Sequence, residues 1–182
     1  MKTESAEATE VVAFWRAAGP ARWFKKDPAF DGEFRERFLT LHQRAAAGEL
    51  DGWAASAEGA LALVILLDQF PRNAFRDTAR MYAADAMAGR IARSALERGL
   101  DLAVPEELRN FMYLPLMHSE DPRDHDLCTR KTAALGGEAH RFALHHQDII
   151  RRFGRFPHRN ALLGRASTRE EEAFMTQGGF SG

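Results

Sequence analysis

Apolar residues recur three and four positions apart along most of the chain, the spacing of one face of a helix. Val11, Phe14, Trp15 and Ala18 form a first short stripe, which Gly19-Pro20 ends. Phe30, Phe34, Phe38, Leu41 and Ala45 form a longer one, with Asp27 placed to cap it, Pro28 in its first turn and Gly48 to stop it. From Ala60 to Leu67 every residue is apolar, so periodicity alone fits a buried helix or a buried strand. Leu and Ala dominate the run and no turn residue breaks it before Gln69, which favours a central helix buried on all sides and capped by Ser56. Ala84, Met87, Ala88, Ile91 and Ala95 mark another helix, capped by Asp85 and ended by Gly99.

Pro105 and two glutamates open a fifth helix through Leu108, Phe111 and Met112, which Pro115 kinks or ends. Asp121-Pro122 starts a sixth, running to Leu135 before Gly136-Gly137. Phe142, His146, Ile149 and Phe153 stripe a seventh that stops at Gly154, and Ser167-Thr168-Arg169-Glu170 has the form of a capping box opening a short last helix. No alternating stretch reads as a strand. The expected fold is therefore all-α, with eight to nine helices in antiparallel pairs, as a bundle or a short solenoid. No linker divides the chain, so 1–182 is expected to be a single domain with loose ends at 1–5 and 178–182. One internal echo is present: Phe70-Pro71-Arg72-Asn73 recurs, one residue longer, as Phe156-Pro157-His158-Arg159-Asn160.

Composition narrows the function classes. Basic and acidic side chains number 25 and 26, a balance that offers no field to attract a nucleic-acid backbone. Cys128 is the only cysteine, which rules out an intrachain disulfide or a cysteine-based zinc site and fits a reducing compartment. Three glutamates and no apolar run between Met1 and Glu10 argue against a secretory signal, and Ala60–Leu67 is far short of a membrane span. The expected location is the cytoplasm, with neither nucleic acid nor membrane as partner.

Three polar segments are candidates for chemistry. In Asp68-Gln69-Phe70-Pro71-Arg72-Asn73, a half-buried Asp68 needs a partner such as Arg72, and Arg72 with Asn73 can act as ligand donors. The structural alternative is a turn in which Pro71 stops the helix and Asn73 caps the next segment. In His118-Ser119-Glu120-Asp121, His118 and Glu120 can serve as base and acid, or Asp121 can simply cap a helix. The spacing of His118, Glu120, Asp121, Asp124 and His125 fits no recognised metal pattern, so neither metal nor cofactor is expected. The third segment, Arg155-Phe156-Pro157-His158-Arg159-Asn160, gathers positive charge with Arg151, Arg152 and Arg165. Arg155, His158, Arg159 and Asn160 can converge on a carboxylate or phosphate, or the arginines can pair with Asp68, Glu120, Asp121 or Asp148 and lock helix ends together. His140, His145 and His146, the Trp23-Phe24-Lys25-Lys26 clasp and Cys128 read as structure.

These segments also carry a resemblance. Leu67 through Asn73, Tyr113 through Asp121 and Arg152 through Asn160 look like three signature blocks of a bacterial family, domain of unknown function number nine hundred and twenty-four. Phe14-Trp15, Trp23 through Asp31 and Gly164 through Thr168 match as well, so the resemblance spans roughly Val11 to Met175. Where that pattern has Gln and Glu after Asp124, this chain carries His125 and Asp126. The resemblance implies a right-handed superhelix of helix pairs similar to tetratricopeptide repeats, and no activity, substrate or cofactor.

The leading expectation is a binding domain for an anionic small molecule or peptide, with Arg72, Asn73, Arg155, His158, Arg159 and Asn160 as ligand donors. The rival is a hydrolase-like enzyme using His118 or His158 as base with Glu120 or Asp68 as partner. A third reading is an interaction scaffold with a concave groove.

Overall fold

The structure, a computed structural model, describes residues 2–180, and these residues are helical without a strand. Two long helices, α1 (Lys2–Ala18) and α3 (Pro28–Ala46), flank the single turn α2 (Pro20–Trp23). Asp27 caps α3 as its sequence announces, its Oδ1 accepting from the N–H groups of Ala29 and Phe30 at 3.1 and 3.2 Å. The stripe of α3 buries Phe30, Phe34 and Phe38. Phe14 of α1 meets all three rings with centroids 5.1–5.4 Å away, so the two helices share an aromatic seam. Trp15 extends that seam edge-on to Phe111 at 5.4 Å.

The run from Ala60 to Leu67 is a helix buried on every side. It begins as α4 (Ala57–Val64), capped by Ser56 Oγ accepting from Gly59 N–H at 3.1 Å. It widens into a π turn over Ile65–Gln69 and continues as α5 (Phe70–Ala74). Burying its Leu, Ile and Val side chains contributes about 1.5–3 kcal/mol each, which makes this helix the axis of the core. Pro71 was expected to stop the helix, yet the helix passes through it. Phe70 N–H bonds back five residues to Ile65, and the Leu66 carbonyl that a non-proline residue 71 would satisfy accepts from His42 Nδ1 at 2.9 Å. Asn73 caps nothing; its side chain donates to Asp31 at 2.7 Å.

Gly59 sits where α4 crosses the preceding turn, and a Cβ there would collide with the Trp53 carbonyl. Gly59→Ala is therefore expected to lower stability by roughly 1–3 kcal/mol, against the small gain its helix propensity predicts. Urea unfolding checks this, and a stabilised variant would refute the close approach.

The second half follows as α6 (Asp85–Glu97), α7 (Glu106–Arg109), α8 (Leu114–Met117), α9 (Pro122–Ala133), α10 (Gly137–Phe153) and α11 (Arg169–Thr176). Three boundaries differ from expectation. Asp85 is the first residue of α6 and not its cap, because its carboxylate is held by two arginines. The fifth helix is broken into α7, a 3-10 turn at Asn110–Met112 and α8, with Pro115 in the first turn of the last piece. The capping box of α11 is Thr168 with Glu171, one residue later than the Ser167–Glu170 frame. Asp121 caps α9 as expected and also grips Arg123 at 2.6 Å.

Helices α1, α3 and α6 pack around the central helix, and α9 packs between α8 and α10. A smaller cluster of Ile149, Ile150 and Phe156, with Phe153, Phe174 and Phe180 against it, forms a separate apolar centre at the C-terminal side. Of the ends expected to be loose, positions 1, 181 and 182 lie outside the described residues. Phe180 has its ring 4.5 Å from that of His146. No helix among the described residues is long and apolar enough to cross a membrane.

Candidate functional site

The π turn of the central helix carries Asp68, which is fully buried. A carboxylate there needs compensation on every side, and it has it. Oδ1 accepts from His118 Nδ1 at 2.7 Å, and Oδ2 accepts from Gln69 Nε2 at 2.5 Å. Arg72, one turn later, lies 3.1 Å from Oδ1 and donates to the Asp68 carbonyl at 2.9 Å. Burial alone would raise the Asp68 pKa, but Arg72, His118 and Gln69 outweigh it and hold the group ionised below the usual carboxylate range.

His118 follows the last turn of α8. Burial lowers its pKa first and the Arg72 charge lowers it further, overcoming the pull of Asp68, so the ring is neutral at pH 7. With Nδ1–H given to Asp68, the lone pair belongs to Nε2. Nothing among the described residues hydrogen-bonds Nε2, and His118 lines a cleft.

A second carboxylate ties the echoed segments together. Arg72 grips Asp85 through two parallel bonds of 2.8 and 2.9 Å, and Arg159 reaches the same carboxylate at 3.3 Å. The other Arg159 terminus donates to the His118 carbonyl at 2.9 Å. Tyr82 lies beneath both guanidinium groups, 4.6 Å from Arg159 and 5.7 Å from Arg72. Burial works against the Arg159 charge more strongly than Asp85 supports it, and its Nε–H is buried with no acceptor. Glu120 is held by Arg165 at 2.7 and 3.0 Å and by the Phe156 N–H at 2.8 Å. These bonds overcome burial and keep its pKa low.

Tyr82, Asp85, Arg90, Arg93, His118, Glu120 and Arg159 line a cleft of about 520 Å³. Of the expected site residues, His118, Glu120 and Arg159 line this cleft, and the first segment joins it only through the bonds of Asp68 to His118 and of Arg72 to Asp85. Of the six proposed ligand donors only Arg159 lines the cleft. Arg155 is committed to Glu171 at 2.6 and 2.8 Å, and Asn160 to Ser167, Glu171 and Arg165. The echo explains the pattern. Asn73 donates to Asp31 in the first turn of α3, which Arg76 clamps; Asn160 donates to Glu171 in the first turn of α11, which Arg155 clamps. In each copy the Phe enters the core, the Arg reaches Asp85, and the Asn fixes a helix start.

His158 stands away from the cleft, its ring 5.6 Å from Phe156 and 5.1 Å from Phe180. Burial, then the neighbouring Arg159, drives its pKa down to about 4. His125 Nε2 bonds the Ser119 carbonyl at 2.7 Å, and no group of three or more metal-ligating side chains occurs among the described residues. Burial pushes the Cys128 thiol up to about 12, which leaves it unreactive.

Sequence reasoning missed Tyr82, Asp85 and the Arg93–Asp124 pair, whose bonds measure 2.8 and 2.7 Å. Their signal was positional: Asp85, Gly89 and Arg93 recur every four residues along α6, one polar face opposite the alanine stripe.

The family model described as "Bacterial protein of unknown function (DUF924)" matches residues 11–179. Among solved structures, that of a protein of unknown function, ATU0120, from Agrobacterium tumefaciens is similar, with 50% identity and a TM-score of 0.93. The match covers 95% of this chain and 98% of that one. No curated protein matches.

Proposed function

The chain belongs to this DUF924 family of bacterial proteins, and from its cleft we propose that it is an enzyme in which His118 acts as general base, oriented by Asp68. The observation that carries this is the 2.7 Å bond from His118 Nδ1 to a buried, ionised carboxylate, with Nε2 left at the cleft. A base needs a free lone pair at working pH, a fixed tautomer and a partner for the cation that forms. Neutral His118 has the first, and Asp68 supplies the other two. Arg72 and Gln69 fix Asp68 in turn, and Arg159 fixes the His118 backbone. The simplest chemistry for such a pair is activation of a water or hydroxyl for hydrolysis. The ligand-donor reading based on Arg155 and Asn160 has less support, since protein carboxylates already hold those side chains.

Nitrogen-15 NMR of the His118 ring at pH 7 tests the state directly: Nδ1 is expected to be protonated and Nε2 bare. A cationic ring, or the opposite tautomer, would remove the base. In a panel of esters, amides and phosphoesters, His118→Gln is expected to lower turnover by roughly 10²–10⁴-fold. Full turnover in that variant would assign the chemistry elsewhere.

A further inference from the structure

We infer that the cleft takes substrates bearing an oxyanion group, a carboxylate or phosphate, and that Arg90 is the specificity-determining residue that grips it. The inference rests on the reading of this cleft as an active site. Asp85, Arg93, Glu120 and Asp121 all line the cleft, and each has the ionic partner described above. Arg90 lines it too, and its side chain's one hydrogen bond among the described residues is a 3.4 Å contact to the Ala86 carbonyl one turn back. It is exposed and has no carboxylate partner among the described residues. The cleft therefore has one unmatched positive charge, on a planar fork suited to a carboxylate or phosphate.

Its placement suits substrate binding. Arg90 lies five residues beyond Asp85 on α6, about 7.5 Å along the helix axis, and Asp85 is tied through Arg159 to the His118 backbone. Ala86 and Gly89 lie on the same wall and add almost no bulk to it. The Tyr82 hydroxyl, also at the cleft, makes no hydrogen bond within the described residues and is a second donor for the same ligand. A substrate gripped at Arg90 would extend its reacting bond toward Nε2 of His118.

The test titrates the intact protein with inorganic phosphate and with succinate at low salt, following the His118 ring resonances by NMR. Saturable shifts are expected for at least one anion, and the tighter of the two identifies the headgroup class. Arg90→Ala is expected to weaken binding about tenfold, and Arg90→Lys to recover part of it. Circular dichroism should be unchanged in both variants, since Arg90 is exposed. Equal affinity in wild type and Arg90→Ala, or no binding of either anion, overturns the inference. Anion binding does not need proton transfer, so the base can fail while the anion site stands, and the reverse.

Discussion

Asp85→Ala is expected to destabilise the protein by about 3–5 kcal/mol, the scale for removing one partner from a buried ion cluster. The carboxylate neutralises two arginines, both largely buried, with side-chain exposures of 16% for Arg72 and 7% for Arg159. Arg72 retains Asp68 when Asp85 is removed, but Arg159 keeps only the His118 carbonyl and the faces of Tyr82 and Phe156. Burial already opposes the Arg159 charge, so losing its counter-ion adds to an existing cost. Asp85→Asn keeps the shape and one acceptor and should lose less. Arg159→Met in the Asp85→Ala background should restore part of the stability, because it removes the stranded charge. Urea unfolding of the wild type, Asp85→Ala, Arg159→Met and the double variant measures the cycle; a loss below about 1 kcal/mol for Asp85→Ala would show that the arginines find solvent instead.

Stability is expected to fall steeply between pH 6.5 and 5, earlier than carboxylate protonation would explain. Five of the seven histidines, His42, His118, His125, His146 and His158, have pKa values lowered chiefly by burial. His146 falls to about 3 and His158 to about 4. Well below 6.5 the unfolded chain takes up protons at His146 and His158 and the native state does not, so each of these two favours unfolding by about 1.4 kcal/mol per pH unit there, and the other three act in the same direction. From pH 6.5 to 5 these two alone remove about 3 kcal/mol. The depressed carboxylates act lower: Glu171, held at about 2 by Arg155 and by the Thr168 N–H, loses its contribution only as pH drops below its unfolded value near 4.5. Urea midpoints at pH 7, 6 and 5 decide the matter. A flat profile over that range would mean the histidines protonate in place, and His146→Phe should make the slope shallower.

Much of the helical frame was legible because it depends on neighbours in sequence. Asp27, Ser56 and Asp121 cap where their positions predict, and the Phe30–Phe34–Phe38 stripe faces the core. Errors arose where two local signals tie or a distant partner decides. Ser167 and Thr168 each have a Glu three residues on, and the bonds of Arg155 and Asn160 to Glu171 select the second frame. Pro71 ends most helices, but a π turn and the His42 ring, far away in sequence, remove the penalty. The convergence of three polar segments was readable as residue types. The choice of partners was not, because Asp68 and His118 are 50 residues apart and Arg159 and Asp85 are 74 apart. Each arginine had several carboxylates in reach by composition, and tertiary packing alone chose among them.

The shared grip on Asp85 makes the cleft a seam between two separately supported parts. On one side His118, at the end of α8, is held by Asp68 of the central helix, which Arg72 pairs in turn, all within the main core's reach. Part of the cleft wall, Arg159, belongs to the small apolar centre around Phe156 and is latched across by Asp85, with Arg165 on Glu120 as a second latch. A sub-global opening that releases only the C-terminal centre would dismantle that wall while the base and its carboxylate stay assembled. If the cleft is the active site proposed above, its competence and global folding are separate thresholds, and mild denaturant or mild acid would cross the first before the second.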